Sequence, residues 1–232
     1  MRSAFALLAY SAAGIGLSMA QDYPIALKTT GNPDGVVYSA MLLDKNTTTV
    51  RGYVNATAGP GGEGVVFVVD VWGFPNETLY GPFPYHIHDQ PVSSDGNCSS
   101  TLDHLDPTVR YGTPPCDPTK PETCQVGDLS GKYGDVMNAS NGSHYNKTYY
   151  DPFTSTKHGP ASFFGNRSIV FHYNNGSRIN CGNFTLVKST MNPTPTGGQP
   201  KPSSHPPGEG GAARIGALSI SVVLGSVAAL LW

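Results

Sequence analysis

The chain has 232 residues, a formal net charge of −2, and charged side chains at only 13% of its positions. A chain this poor in Lys and Arg offers no basic surface, so the composition excludes a nucleic-acid-binding protein. Once the terminal segments described next are set aside, the remaining length corresponds to one folded domain.

The N-terminal segment MRSAFALLAYSAAGIGLSMA has the pattern of a secretory signal peptide. One Arg precedes an apolar run, and small residues stand at Ser18 and Ala20, as a cleavage site requires. We predict a signal peptide at residues 1–20 and a folded domain over residues 21–190. The protein is therefore expected to be extracellular.

The C-terminal segment ARIGALSISVVLGSVAALLW is an apolar tail with no basic residue after it. Residues 191–211, rich in Pro, Gly and Ser, are predicted to be a disordered linker before it. Small residues, a short spacer and an apolar tail in this order are typical of a glycosylphosphatidylinositol (GPI) anchor signal, with residues 212–232 removed. Candidate attachment sites are Gly210 and Gly211, then Ser204 and Gly208. A single membrane-spanning helix is the alternative.

Cysteines and glycosylation signals also indicate a secreted protein. The even number of cysteines, Cys98, Cys116, Cys124 and Cys181, predicts two disulfides in this compartment, and the residues alone leave their pairing open. Ten Asn-x-Ser/Thr sequons are candidate N-glycosylation sites, namely Asn46, Asn55, Asn76, Asn97, Asn138, Asn141, Asn146, Asn166, Asn175 and Asn183.

Between the terminal signals, short segments rich in Val, Ile, Phe and Tyr alternate with Gly, Pro and Asn, and no long helical pattern occurs. This pattern predicts an all-β sandwich or flattened barrel. The predicted strands are GVVYSAMLLD, TTVRGYVNAT, GVVFVVDVWGF, TLYGPFPYHIH, RSIVFHYNN and RINCGNFTLV. Residues 90–162 are predicted to be a long irregular loop. The aromatic stretch YNKTYYDPF is predicted to pack over this loop, and recognition of a glycan or a partner is the alternative.

Histidines provide the strongest chemical signal. In the strand-like segment YHIH, His86 and His88 project from the same face about 7 Å apart, close enough to share a metal ion. A His-x-His pair also occurs on strands without a metal, so this motif alone is weak evidence. Two further candidates are His104 in DHLDP and His172 in SIVFHYNN. The remaining histidines, His144, His158 and His205, are predicted to be solvent exposed.

Four motifs in order, YHIH, CSSTLDHLDP, VGDLSGKYG and GSRINCGNF, resemble the copper-zinc superoxide dismutase family, and more closely its copper-only branch on fungal cell surfaces. The resemblance covers about residues 35–187 and implies an eight-stranded Greek-key β-barrel. It implies one copper ion per chain, bound by His86, His88, His104 and His172. Arg178 would be the active-site arginine, and His104 the ligand that loosens during catalysis. The predicted disulfides are Cys98–Cys181, the family disulfide, and Cys116–Cys124.

Departures from the zinc-containing branch imply that zinc is absent. Gly112 and Gln125 stand where that branch has zinc-binding histidines, and Asp128 alone cannot complete a tetrahedral site. Gln125 can still accept a hydrogen bond from His104, and Asp128 is expected to tie the loop to the ligand strands. Only five residues separate His172 from Arg178, so the loop that steers substrate in the zinc branch is missing and the copper should be open to solvent.

The sequence therefore predicts an extracellular copper-dependent superoxide dismutase that converts superoxide to dioxygen and hydrogen peroxide without zinc. Its expected partners are superoxide, the membrane through a GPI anchor, and cell-wall glycan, and it is expected to be a monomer. The main alternative is a non-catalytic copper-binding or cell-wall protein on the same fold, because fold does not fix function. A zinc hydrolase is a second alternative, although no general base stands near the histidines.

Overall fold

The computed structural model describes residues 24–188. They lie within the first of two units into which the chain divides, Met1–Asn192 and Pro193–Trp232. The predicted signal peptide, the linker, and the GPI signal with Gly210 and Gly211 lie outside the described residues. Among the residues described, no helix has both the length and the apolar character needed to cross a membrane.

The described chain is all-β, as the sequence predicts. One antiparallel sheet contains β1 (Val37–Met41), β2 (Arg51–Ala58), β3 (Val65–Trp72), β4 (Tyr85–His88), β5 (His144–Asp151), β6 (Ser168–His172) and β7 (Arg178–Lys188). The strand order is β4-β6-β7-β1-β2-β3-β5. Two short helices, α1 (Glu77–Tyr80) and α2 (Leu129–Tyr133), and three single 3₁₀ turns complete the described elements. The resemblance predicts eight strands, whereas the residues described form seven.

The core lies on one face of this curled sheet. Along β3 the residues Val65, Phe67, Val69 and Val71 are buried, and the residues between them are partly exposed. This period of two is the pattern of a strand with one covered face. The side chains of Phe164 and Phe171 belong to the same core. A smaller apolar cluster, separate from this core, surrounds the cysteines at positions 98 and 181.

Strand β5 corrects the prediction that residues 90–162 form one irregular loop. It pairs with β3 along its whole length, with Phe67 opposite Tyr149 and Val68 opposite Thr148. Tyr149 stacks on Phe67 with 5.7 Å between ring centroids, so the aromatic stretch packs into the sheet itself. The hydropathy pattern does not predict this strand, because Asn146, Lys147 and Thr148 lie between its tyrosines.

The predicted strand TLYGPFPYHIH is in fact a helical turn followed by a shorter strand. The side chain of Asn76 accepts a hydrogen bond from the Thr78 amide and caps α1, which ends before Gly81. Pro82 has no amide hydrogen to donate, and β4 begins only at Tyr85. Helix α2 was also not predicted, and Asp128 caps it by accepting from the Gly131 amide at 2.8 Å.

Candidate metal centre

Three segments that are distant in sequence bring the four predicted histidines together. Neighbouring strands β4 and β6 carry His86, His88 and His172, and Val170 lies opposite His86 in the pairing. His104 lies in a loop that runs beside β4, where it forms an isolated antiparallel bridge with His88. The adjacent Leu105 amide donates to the Ile87 carbonyl at 2.8 Å and holds this loop against the strand.

The four side chains form a compact nitrogen cluster. One ring nitrogen from each of His86, His88, His104 and His172 lies within 4.8 Å of all the others. The Nε2 atoms of His88 and His172 are 3.2 Å apart, and the rings of His86 and His104 have centroids 3.9 Å apart. Four imidazoles at this spacing can bind one metal ion.

Hydrogen bonds outside the cluster fix the orientation of three of these rings. The Nδ1 atom lies 2.8 Å from the Leu102 carbonyl in His88 and 2.9 Å from the Gly176 carbonyl in His172. In His104, Nδ1 lies 2.7 Å from Oε1 of Gln125. A carbonyl oxygen only accepts, so each Nδ1 carries the hydrogen and each Nε2 presents its lone pair to the cluster.

His86 is oriented differently. Its Nδ1 atom is buried and has no hydrogen-bond partner, whereas its Nε2 atom lies 3.6 Å from Oδ1 of Asp128. A buried polar atom without a partner is rare in folded proteins and calls for an explanation, such as a metal ion. The donor set therefore fits a metal ion that takes Nδ1 of His86 and Nε2 of the other three histidines.

Burial keeps three of these imidazoles, those of His86, His88 and His172, in the neutral form that binds metal. It lowers the pKa of His88 to about 3 and that of His172 to about 4, and His104 contributes to both shifts. Burial, followed by the three other histidines, lowers the pKa of His86 well below its usual range. These three imidazoles can therefore bind a cation at neutral pH without first losing protons.

Arg178, at the start of β7, lies beside this cluster. Its guanidinium donates to the Cys98 carbonyl at 2.9 Å and to the Leu102 carbonyl at 2.5 Å. The Leu102 carbonyl is also the acceptor for His88. After the larger effects of burial and of His104, the positive charge of Arg178 further lowers the pKa of both His88 and His172. The loop segment from Cys98 to Leu102 therefore orients both His88 and Arg178 through its backbone carbonyls.

Gln125 links His104 to a carboxylate that sequence reasoning missed. Its Nε2 donates to Oδ2 of Asp106 at 2.9 Å, while Oε1 contacts His104. Asp106 also accepts from the Tyr111 amide at 2.8 Å. The available signal was the carboxylate two positions after the histidine in HLDP. A surface cavity of about 680 Å³ opens beside His104 and Gln125, with Gly112 at its wall.

The structure contains two disulfides. Cys98 pairs with Cys181, with Cα atoms 5.8 Å apart, and Cys116 pairs with Cys124, with Cα atoms 4.7 Å apart. The first disulfide joins the loop that contacts Arg178 to the first half of β7. The second closes a small loop remote in sequence from the ligand strands.

The remaining predicted residues lie away from the cluster or on the surface. His144 stacks on Trp72 with ring centroids 4.7 Å apart, and His158 is exposed, whereas His205 lies outside the described residues. Asparagines of the sequons are exposed at positions 46, 76, 97, 138, 141, 146, 166, 175 and 183, and Asn55 is half-buried.

Comparisons with known proteins point to one group. A cell surface Cu-only superoxide dismutase of Arthroderma benhamiae is 43% identical in an alignment of 221 positions, which covers 83% of this chain and 59% of that protein. Cell surface Cu-only superoxide dismutase 5 of Candida albicans is 37% identical over 73% of this chain and 68% of that protein. The solved Cu(II) structure of the Candida albicans superoxide dismutase 5 matches with a TM-score of 0.59 and 32% identity, over 70% of this chain and 99% of that chain. No protein-family model matches the chain.

Proposed function

The chain belongs to the cell-surface copper-only superoxide dismutases, and we propose that it is an extracellular enzyme that converts superoxide to dioxygen and hydrogen peroxide. The observation that carries this proposal is the cluster of four imidazole nitrogens, all within 4.8 Å of one another, three of them oriented by outer hydrogen bonds. Both the relatives' names and this donor set support it.

We assign one copper ion to the cluster, bound by His86, His88, His104 and His172. Imidazole ligands suit copper far better than calcium or magnesium, which prefer oxygen donors. When bound, copper would supply the change between two oxidation states that dismutation requires.

No zinc is assigned, because the side chains near His104 are unsuitable for a second metal. Gly112 has no side-chain ligand, and the amide of Gln125 is engaged by His104 and Asp106. Two carboxylates lie nearby and both are engaged: Asp106 accepts from Gln125 and from the Tyr111 amide, and Asp128 accepts from the Gly131 amide. A zinc ion needs four such ligands in a tetrahedral arrangement.

Arg178 is assigned the attraction and orientation of the superoxide anion. Its guanidinium is permanently charged, and two backbone carbonyls fix its position beside His88 and His172. His104 would be the ligand best able to loosen, because it is carried by a loop whereas the other three lie on strands. Gln125 accepts from Nδ1 of His104 and so leaves Nε2 facing the cluster.

We further propose the finer features that the resemblance implies. Closure as an eight-stranded Greek-key barrel is supported by Phe83 and Val136, whose backbones exchange two hydrogen bonds, of 3.1 and 3.0 Å, beyond the strands described. Attachment by a GPI anchor at Gly210 or Gly211, N-glycosylation at the ten sequons, contact with cell-wall glycan and a monomeric state are proposed from the sequence. The exposed positions of nine sequon asparagines support glycosylation.

A superoxide-consumption assay on the secreted full-length protein tests the proposal. Copper-loaded protein should consume superoxide at rates far above the copper-free protein and release peroxide. A copper-loaded protein without this activity would be a non-catalytic copper-binding protein on the same fold. A zinc hydrolase would instead hydrolyse ester substrates when loaded with zinc alone.

A further inference from the structure

A lysine amine lies directly against the Cys98–Cys181 disulfide. Nζ of Lys45, in the loop between β1 and β2, is 2.9 Å from Sγ of Cys98 and 3.7 Å from Sγ of Cys181. The disulfide otherwise packs among the apolar side chains of Leu43, Val92 and Val170. Lys45 is thus the charged group placed at the sulfur atoms of an otherwise apolar cluster.

Partial burial and a nearby carboxylate act on the Lys45 amine in opposite directions. Partial burial lowers the pKa of the Lys45 amine, and the charge of Asp95 acts in the opposite direction. A neutral disulfide gains little from an ammonium group, because its sulfur is a weak acceptor. A thiolate in the same place would gain much more, since a neighbouring lysine is one of the groups that lower a thiol pKa.

We propose that Lys45 tunes the redox equilibrium of the Cys98–Cys181 disulfide by stabilising the thiolate that forms at Cys98 on reduction. In the balanced reaction, two external thiols are oxidised to one external disulfide, and the Cys98–Cys181 bond is broken. Cys98 leaves as a thiolate paired with the Lys45 ammonium, Cys181 leaves as a thiol, and one proton is released. A disulfide whose reduced form is stabilised is easier to reduce.

One loop, which contains Cys98 and Leu102, connects this disulfide to the metal centre. The carbonyls of Cys98 and Leu102 hold Arg178, and the Leu102 carbonyl also accepts from His88. Breaking the bond would remove the covalent tie between this loop and β7. The redox equilibrium of the disulfide does not depend on the activity proposed for the histidine cluster.

The test is equilibration of the full-length secreted protein with mixtures of reduced and oxidised glutathione, followed by alkylation and mass spectrometry of each cysteine. We compare the wild-type protein with Lys45→Met, with Lys45→Arg, which retains the charge, and with Lys28→Met as the matched control. Lys28 is an exposed lysine that pairs with Glu63. Half-reduction of the disulfide in Lys45→Met should need a ratio of reduced to oxidised glutathione that is higher by on the order of tenfold. In Lys45→Arg and Lys28→Met the midpoint should stay near that of the wild-type protein.

The direction of the shift separates this role from a merely structural one. If Lys45 only supported the fold, its loss would expose the disulfide and make reduction easier. A reduction midpoint in Lys45→Met that is unchanged or shifted toward easier reduction overturns the proposal. In the reduced proteins at neutral pH, alkylation of Cys98 should be slower in Lys45→Met than in wild type, and equal rates would also overturn it.

Discussion

The Nδ1 atom of His104 lies 2.7 Å from Oε1 of Gln125, and this single contact decides which nitrogen of His104 faces the metal centre. His104 is the cluster histidine carried by a loop, so its orientation depends on this side-chain partner more than on a strand. Gln125 is held in turn by Asp106, which fixes the amide so that its oxygen points to the imidazole.

Replacement of Gln125 by Leu should lower copper affinity by about 10- to 100-fold, because loss of the outer hydrogen bond frees the His104 ring. Gln125→Glu keeps an oxygen acceptor for His104 and is the matched control, with affinity expected closer to wild type. Competition titrations against a copper chelator measure both. Unchanged affinity in Gln125→Leu would remove the orienting role assigned to this residue.

Replacement of Arg178 by Ala should slow dismutation by about tenfold or more at unchanged copper content, because the attraction of the anion is lost. The remaining rate should depend less on ionic strength than in wild type. Arg178→Lys retains the charge but not the planar fork that reaches both carbonyls, so its rate should be intermediate. Equal rates in Arg178→Ala and wild type would show that this guanidinium does not guide the substrate.

Stability of the copper-free protein should decrease as the pH falls. The pKa of His88 is lowered to about 3 and that of His172 to about 4, mainly by burial, from the usual 6.5. Between about pH 6.5 and pH 4, the unfolded chain therefore binds more protons than the folded chain, and acidification favours unfolding. The free energy of unfolding should be highest above about pH 6.5 and lower by a few kcal/mol near pH 4.

Urea unfolding of the copper-free protein across this pH range measures the effect. His172→Gln removes one of these buried titrating groups and should flatten the decline. A free energy of unfolding that stays constant from neutral pH to about pH 4 would contradict the neutral, buried state of the cluster.

The two disulfides should contribute unequally to stability. Cys98 and Cys181 are separated by 83 positions, and Cys116 and Cys124 by 8. In the chain-entropy model, removing the first pair by Ala substitution should cost about 4 to 5 kcal/mol, and removing the second about 2 to 3 kcal/mol. Denaturant unfolding of the two double variants measures both, and equal losses would show that loop length does not determine the effect.

The sequence predicted the parts of the site that follow from local geometry. His86 and His88 share a face because strand side chains alternate, and this alternation needs no tertiary information. The roles of His104, His172 and Arg178 came from the family resemblance. The local sequence around a loop residue and around the ends of two strands does not predict that they lie close together in the fold.

The remaining features depended on tertiary contacts. The contribution of Asp106 could be recognised only from the structure, in which Gln125 lies between Asp106 and His104. Strand β5 was missed because Tyr145 and Tyr149 on its inward face are only half-buried and are separated by polar residues. Lys45 carried no motif at all, and only the fold of the loop after β1 places its amine on the sulfur of Cys98.

The most direct test of the central claim is metal content measured together with superoxide dismutation on one preparation of the secreted protein, loaded with copper alone and then with copper plus zinc. We predict one copper per chain, no zinc uptake, and the same fast dismutation in both samples. Zinc bound alongside copper, or one copper per chain with no dismutation, would contradict the account of a copper-only enzyme.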